Sequence, residues 1–179
     1  MTILWLSKCY HLNTVFIRIR TYFFLLTFDP MKNQMTRSVY LADDDPDDRL
    51  LFKEALMEVS KNVVLTTASN GEQLMKILDK TTPPPPHLIF LDLNMPLKNG
   101  IECLDEIKKD KKLKNIPVVI FSTSSQKDAI DKVYNKGADY YICKPDSFHK
   151  LKEVLNRMFS IDLSGAFPRP AREDFLIQA

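Results

Sequence analysis

The sequence predicts an α/β protein built on a doubly wound, five-stranded parallel sheet. Between residues 36 and 162, short apolar runs alternate with segments of helical periodicity, and five such pairs follow one another. Successive strand and helix patterns of this kind are typical of parallel sheets covered by helices on both faces. Four of the apolar runs end at an Asp, Ser or Lys, which is where a strand would give way to a loop.

The first two pairs have clear boundaries. The strand candidate Val39–Ala42 is followed by Asp45, an N-cap residue type, and by Pro46, which suits the first helical position because no N–H is needed there. The apolar face of this helix consists of Leu51, Ala55, Leu56 and Val59. In the second pair, the β-branched run Val63–Ala68 predicts a strand, and Gly71–Leu78 predicts a helix.

The third pair begins after a proline-rich connector. Residues 81–86 contain four consecutive prolines, and we interpret them as an extended polyproline II spacer rather than as a ligand for a peptide-binding domain. The buried-type strand Leu88–Leu91 and the helix Ile101–Lys109 follow. We interpret the charge cluster Lys108–Lys112 as a solvated helix end, since cations there complement the helix dipole.

The last two pairs complete the predicted sheet. The run Pro117–Phe121 predicts a strand, and the helix after it, Gln126–Asn135, is expected to end at Gly137, a residue type favoured just beyond helix C-termini. Tyr140–Cys143 predicts the fifth strand, followed by a helix from about Asp146 to Phe159.

The two ends of the chain do not follow this pattern. Residues 1–35 are apolar and aromatic, but basic residues interrupt them before they reach the roughly 18 apolar residues of a membrane helix. They also lack a signal-peptide cleavage site. We interpret them as an over-extended start, with translation beginning at Met31 or Met35, in preference to a short amphipathic anchor. Residues 163–179 are predicted to be a short tail, too small for a DNA-binding or catalytic output domain.

Composition narrows the functional classes. The 179 residues are 45% hydrophobic and 27% charged, which suits one soluble domain with short extensions. The net charge is +2, and the central part has no basic stripe of the kind that binds nucleic acid. The three cysteines are far apart and include no C-x-x-C spacing, and no histidine has a His or Cys partner at metal-ligand spacing, which argues against a zinc site or a disulfide framework.

The most informative residues lie directly after the predicted strands. Asp43 and Asp44 follow the first strand, and Asp92 follows the third, before a loop containing Pro and Gly. Ser122 follows the fourth strand and Lys144 the fifth. Because parallel strands end at one edge of a sheet, these side chains are expected to share a pocket suited to a divalent cation and a phosphoryl group. An aspartate in such a pocket can form an acyl phosphate.

These motifs resemble the receiver domain of response regulators in two-component signalling. The resemblance covers about residues 36–162 and rests on Leu41–Asp44, Leu91–Pro96 with Gly100, Phe121–Ser122 and Lys144–Pro145. The separations of 48, 30 and 22 residues from Asp44 through Asp92 and Ser122 to Lys144 are similar to those of the family. The resemblance implies a flavodoxin-like fold with strand order 2-1-3-4-5.

The resemblance also implies a role for each residue of the pocket. Asp92 corresponds to the phospho-acceptor, and Lys144 to the ammonium that contacts phosphoryl oxygens. The implied cofactor is Mg²⁺, with Asp44 as a direct ligand and Asp43 acting through water. Asp92 and the backbone carbonyl of Asn94 would complete the protein ligands.

Two further residues are implied to transmit the signal. Ser122 corresponds to the hydroxyl that moves toward the phosphoryl group, and Tyr141 to the aromatic residue that then turns inward. The fourth helix, fifth strand and fifth helix would form the face that contacts a downstream protein.

The resemblance implies a cytoplasmic, stand-alone receiver that is phosphorylated by a sensor histidine kinase or a histidine phosphotransfer protein. It would catalyse only its own phosphorylation and dephosphorylation. No nucleic-acid or membrane partner is expected, and assembly into a homodimer stays open. The alternative is a haloacid-dehalogenase-type phosphatase with Asp43 as nucleophile and Asp45 as general acid. That alternative lacks the acidic pair expected after Lys144 and leaves Asp92 without a role.

Overall fold

The computed structural model describes residues 36–80, 84–161 and 169–178. These residues form a parallel sheet of six strands with the order β2-β1-β3-β4-β5-β6. The strands are β1 (Arg37–Ala42), β2 (Val63–Ala68), β3 (Leu88–Leu91), β4 (Val118–Ser122), β5 (Tyr140–Cys143) and β6 (Leu176–Ile177). The helices are α1 (Pro46–Val59), α2 (Gly71–Lys80), α3 (Gly100–Lys109), α4 (Lys127–Asn135) and α5 (Phe148–Ser160). The predicted doubly wound α/β fold is confirmed.

The structure describes part of the predicted polyproline connector and part of the C-terminal tail, and none of residues 1–35. Residues 1–35, 81–83 and 162–168 lie outside the described residues, so the interpretation of an over-extended start stays a prediction. The described prolines Pro84–Pro86 belong to neither a helix nor a strand. No described helix combines the length and the apolar character that crossing a bilayer requires.

Helices cover both faces of the sheet. On one face, α1 and α5 pack over β1, β3 and β4, where Phe52 of α1 makes edge-on contacts with Phe90 at 4.8 Å and Phe121 at 5.4 Å between ring centroids. On the other face, α2, α3 and α4 bury a second apolar cluster. Each fully buried phenylalanine or leucine side chain in these clusters contributes about 2 kcal/mol to the free energy of unfolding. The core therefore fixes the positions at which the strands end.

Local signals in the sequence set the helix ends. The Asp45 side chain caps α1 by accepting the N–H of Asp47 at 2.8 Å, as predicted. Gly137 lies just beyond α4 with φ of +97°, a conformation that glycine adopts without strain. Its N–H donates to the Tyr134 carbonyl and the next N–H donates to the Val133 carbonyl, the paired bonds of a Schellman motif.

The prediction of a five-stranded sheet missed the sixth strand. Leu176 and Ile177, placed in a short tail by the sequence analysis, pair in parallel with Tyr141 and Ile142 of β5. The preceding Phe175 is fully buried in the apolar cluster under α4. A strand of two residues has no detectable alternation, so hydrophobic periodicity could not reveal it.

The interpretation of Lys108 as part of a solvated helix end was wrong. Its ammonium pairs with Asp139 at 2.8 Å and donates to the Ile116 carbonyl at 2.9 Å. The same Asp139 carboxylate accepts the N–H of Val118 at 2.8 Å. The side chains of Lys108 and Asp139 are only 16% and 13% exposed, so this pair fastens α3 to the start of β4 rather than lying in solvent.

Candidate functional site

The residues predicted to form the site meet at the carboxyl edge of the sheet. Asp43, Asp92 and Ser122 are 0%, 5% and 0% exposed, and they are the only buried polar or charged residues in the described ranges. Backbone bonds continue the sheet into the site, from the Asp92 N–H to the Ala42 carbonyl and from the Asp43 N–H to the Ala68 carbonyl. Polar groups are costly to bury without a partner, so their concentration here indicates a functional site.

The Lys144 ammonium lies close to both buried carboxylates of the site, those of Asp43 and Asp92. Its Nζ lies 2.7 Å from Asp43 Oδ2 and 3.8 Å from Asp92 Oδ2, and its side chain is 10% exposed. The ammonium also lies 5.6 Å from the centre of the Phe121 ring. The Asp92 Oδ1 atom accepts the N–H of Leu93 at 2.7 Å, which orients the carboxylate.

Asp48, in the first turn of α1, belongs to the site, although it was not among the predicted site residues. Its Oδ2 lies 2.7 Å from Lys144 Nζ. The two residues are 96 positions apart, and nothing local in the sequence indicated the pair. The density of acids after β1 was the available signal. Asp47, by contrast, is exposed and outside the acidic cluster.

The local electrostatics are dominated by burial and by the Lys144 contacts. Burial raises the pKa of Asp43 above its ordinary value, although attraction to Lys144 opposes this effect. Burial alone would lower the pKa of Lys144, but its contacts with Asp43 and Asp48 outweigh burial and raise that pKa. The ammonium therefore stays charged at neutral pH, ready to attract a further anion.

The acidic cluster fits a divalent cation. Asp43, Asp44 and Asp92 each offer a carboxylate oxygen, and these oxygens lie within 4.8 Å of one another. Asp43 Oδ2 is buried and, although close to Lys144, has no directed hydrogen bond within the described part of the chain. Asp44 is exposed, which leaves one side of the cluster accessible to water. Hard oxygen ligands plus water are what Mg²⁺ and similar ions prefer.

The structure places the remaining predicted residues without testing their roles. Asn94 is exposed in the loop after β3, and its carbonyl as a metal ligand stays a prediction. Ser122 is buried at the end of β4. Tyr141 is fully buried, and its hydroxyl donates to the Ser124 carbonyl at 2.6 Å. Burial raises the pKa of Tyr141, so it is a neutral hydrogen-bond donor.

Gly100 holds the start of α3 against the backbone of Asp92. A Cβ atom at residue 100 would come within 2.0 Å of the Asp92 carbonyl oxygen, and the Gly100 N–H donates to the Leu93 carbonyl at 3.0 Å.

We expect Gly100→Ala to lower the free energy of unfolding by about 2 kcal/mol, because α3 must move away from the Asp92 backbone. Urea denaturation measures this change. Wild-type stability would show that the loop absorbs the extra methyl group.

Fold and site together define a domain of the receiver class. A sequence profile of the response regulator receiver domain matches residues 39–156. The chain belongs to this family, whose members act in two-component signalling.

Individual relatives agree with this assignment. The probable C4-dicarboxylate response regulator DctR of Bacillus subtilis is 34% identical over 119 residues, which cover 66% of this chain and 50% of DctR. The chain thus spans about half the length of that relative. The structure is also similar to the phosphorylated cyanobacterial phytochrome response regulator RcpA, at 33% identity and a TM-score of 0.66, covering 75% of this chain and 99% of RcpA. The Mn²⁺-bound form of response regulator Rcp1 matches at 31% identity and a TM-score of 0.64, with the same coverage.

The phosphatase alternative is not supported. The family match points to a receiver domain instead. The side chain of Asp45, which would be the general acid of such a phosphatase, is engaged in capping α1. It accepts backbone N–H groups and is not part of the acidic cluster.

Proposed function

We propose that the chain accepts a phosphoryl group on Asp92 from the phosphohistidine of a sensor histidine kinase or a histidine phosphotransfer protein. The observation that carries this proposal is the position of Lys144, whose ammonium reaches both Asp43 and Asp92 beside the acidic cluster. A buried carboxylate flanked by a cation and by further oxygen ligands suits phosphoryl transfer, in which positioning and electrostatics provide most of the catalysis.

The proposed step forms one bond and breaks one. The Asp92 Oδ2 atom attacks phosphorus, a P–O bond forms, and the P–N bond of the phosphohistidine breaks with its electron pair passing to the imidazole nitrogen. The phosphoryl group on Oδ2 comes within reach of Lys144, since these two atoms are 3.8 Å apart. Lys144 stabilises the transferred charge, while the Leu93 N–H keeps the other Asp92 oxygen in place.

Mg²⁺ is the proposed cofactor. Asp43, Asp44 and Asp92 would hold it, with the Asn94 carbonyl as a further ligand. When bound, it supplies positive charge that offsets repulsion between the carboxylates and the incoming phosphoryl oxygens. The acidic cluster supports this proposal, as does the Mn²⁺-bound form of Rcp1 among the similar structures.

Asp44→Ala is expected to weaken Mg²⁺ binding by about tenfold or more, because it removes an accessible carboxylate ligand. In the wild type, saturating Mg²⁺ should raise the melting temperature, since the ion binds the folded state alone. Calorimetric titration measures the affinity. Asp47→Ala, which removes an exposed acid outside the cluster, should bind Mg²⁺ like the wild type. Unchanged affinity in Asp44→Ala would remove Asp44 from the ligand set.

The proposed output is protein contact. On this proposal, the phosphoryl group changes the face formed by α4, β5 and α5, and a downstream protein in the cytoplasm recognises the change. The protein would act on no other substrate, catalysing only its own phosphorylation and dephosphorylation.

A phosphotransfer experiment tests the proposed function. The purified chain is mixed with autophosphorylated histidine kinases of its organism and, separately, with acetyl phosphate. We expect acid-labile labelling that requires a divalent cation. Failure of every donor, or hydrolysis of simple phosphate monoesters, would contradict the proposal.

A further inference from the structure

The C-terminal strap, residues 169–178, lies on the face proposed for downstream partners. Its strand β6 pairs with β5, and the Arg157 side chain of α5 donates to the Gln178 carbonyl at 3.3 Å. Arg172 of the strap forms an ion pair with Asp131 of α4. The strap therefore contacts all three elements of that face, and a partner cannot reach the edge of β5 without meeting it.

Aromatic side chains anchor the strap. The Phe175 ring is fully buried and packs edge-on against Tyr134 of α4, with 4.9 Å between centroids. The Arg169 guanidinium lies over the outer part of the same contact, 3.8 Å from the Tyr134 ring centre. The buried Phe175 ring and the guanidinium stacked on its partner Tyr134 together make a built interface, not a loosely attached tail.

Tyr141 connects the strap to the phosphorylation site. Its backbone N–H donates to the Phe175 carbonyl at 2.8 Å, and its ring lies 6.2 Å from the Phe175 ring. Its hydroxyl donates in the other direction, to the Ser124 carbonyl in the loop that follows Ser122. One residue is thus bonded both to the loop beside the site and to the strap.

We propose that the C-terminal strap holds Tyr141 inward, and that phosphorylation of Asp92 in turn tightens the strap. Tyr141 is fully buried with the strap in place, so an outward ring has to compete with Phe175 for space. Two events that favour the same position of Tyr141 must reinforce each other, because thermodynamic coupling is reciprocal. Downstream partners would then recognise a face built in part from residues 169–178. This inference rests on the proposed function of Asp92.

Hydrogen exchange of the Tyr141 amide tests the strap directly, since this N–H is bonded to it. NMR exchange rates are measured on the full chain with Mg²⁺, before and after addition of the phosphoryl mimic beryllofluoride. We expect about tenfold slower exchange at Tyr141, a typical coupling between sites. The Asp139 amide, which donates to the Val118 carbonyl at 2.9 Å on the β4 side, is the internal control and should not change.

Two strap variants measure the reciprocal effect. Arg172→Ala breaks the ion pair with Asp131 at the surface, and Phe175→Ala removes the buried anchor. Both should speed Tyr141 exchange. Phe175→Ala, which removes the anchor, should also weaken beryllofluoride binding, by at most the factor by which beryllofluoride slows Tyr141 exchange in the wild type, because the coupling is reciprocal. Lys150→Ala, on α5, removes an exposed ion pair with Asp146, which precedes that helix, and should have neither effect.

The outcomes separate this inference from the function on which it rests. Beryllofluoride shifts at Asp92 accompanied by unchanged or faster Tyr141 exchange would overturn the strap proposal and leave the proposed function standing. The absence of shifts at Asp92 would overturn both.

Discussion

Asp92→Asn is expected to abolish phosphoryl acceptance. The amide has nearly the same shape as the carboxylate, so the fold should persist, but it cannot form the acyl phosphate. Asp92 is 5% exposed and its Oδ2 lies 3.8 Å from Lys144 Nζ, farther than the 2.7 Å between Asp43 Oδ2 and the same ammonium. Asp43 is in ion contact with Lys144, and Asp44 is exposed at the rim. Incorporation of labelled phosphate from acetyl phosphate measures the loss.

A matched variant controls for removing one negative charge. Asp47→Asn lies in the same acidic region of the sequence but outside the cluster, and it should accept phosphate at the wild-type rate. Circular dichroism and melting curves establish that both variants are folded. Labelling that survives in Asp92→Asn would assign the phosphoryl group to another residue.

Lys144→Met should slow phosphorylation about 100-fold, the usual effect of removing one group that stabilises charge in a transition state. Methionine keeps most of the side-chain volume beside Phe121 while removing the ammonium. The same change leaves Asp43 buried without its cation, so the free energy of unfolding should fall by about 3 kcal/mol in buffer without divalent ions. Added Mg²⁺ should restore part of that stability, since the ion takes over some of the charge compensation.

Single-turnover labelling and urea denaturation measure these two effects separately. Lys150→Met is the control, because Lys150 forms only an exposed ion pair with Asp146. A Lys144→Met rate close to that of the wild type would mean that the ammonium does not contact the transferred group.

The architecture was predictable because it depends on local patterns. The strands Val63–Ala68, Leu88–Leu91 and Tyr140–Cys143 were predicted with the bounds that the structure shows, since short apolar or β-branched runs between loop residues have few other interpretations. The start of α1 followed from Asp45 and Pro46. Once the strands are parallel, their ends share one edge, and the positions of Asp43, Asp92, Ser122 and Lys144 follow from that geometry.

The features that were missed depend on contacts between distant parts of the chain. Asp48 resembles any acid at a helix start, and only the fold brings it to Lys144. Lys108 lies in a run of lysines, yet its side chain is largely buried in an ion pair with Asp139. Phe175 belongs to a segment with little regular pattern, and its burial depends on a pocket formed by Tyr134 and Tyr141. Periodicity and spacing carry no information about such partners.

Borohydride trapping tests the central claim most directly. The chain is phosphorylated with acetyl phosphate and Mg²⁺, treated with borohydride, which reduces an aspartyl phosphate to homoserine, and then digested for peptide mass spectrometry. We expect homoserine at position 92 in the wild type and unmodified peptides when Mg²⁺ is omitted. Homoserine at position 43 or 44, or a phosphate that survives acid on a serine, would contradict the assignment of Asp92.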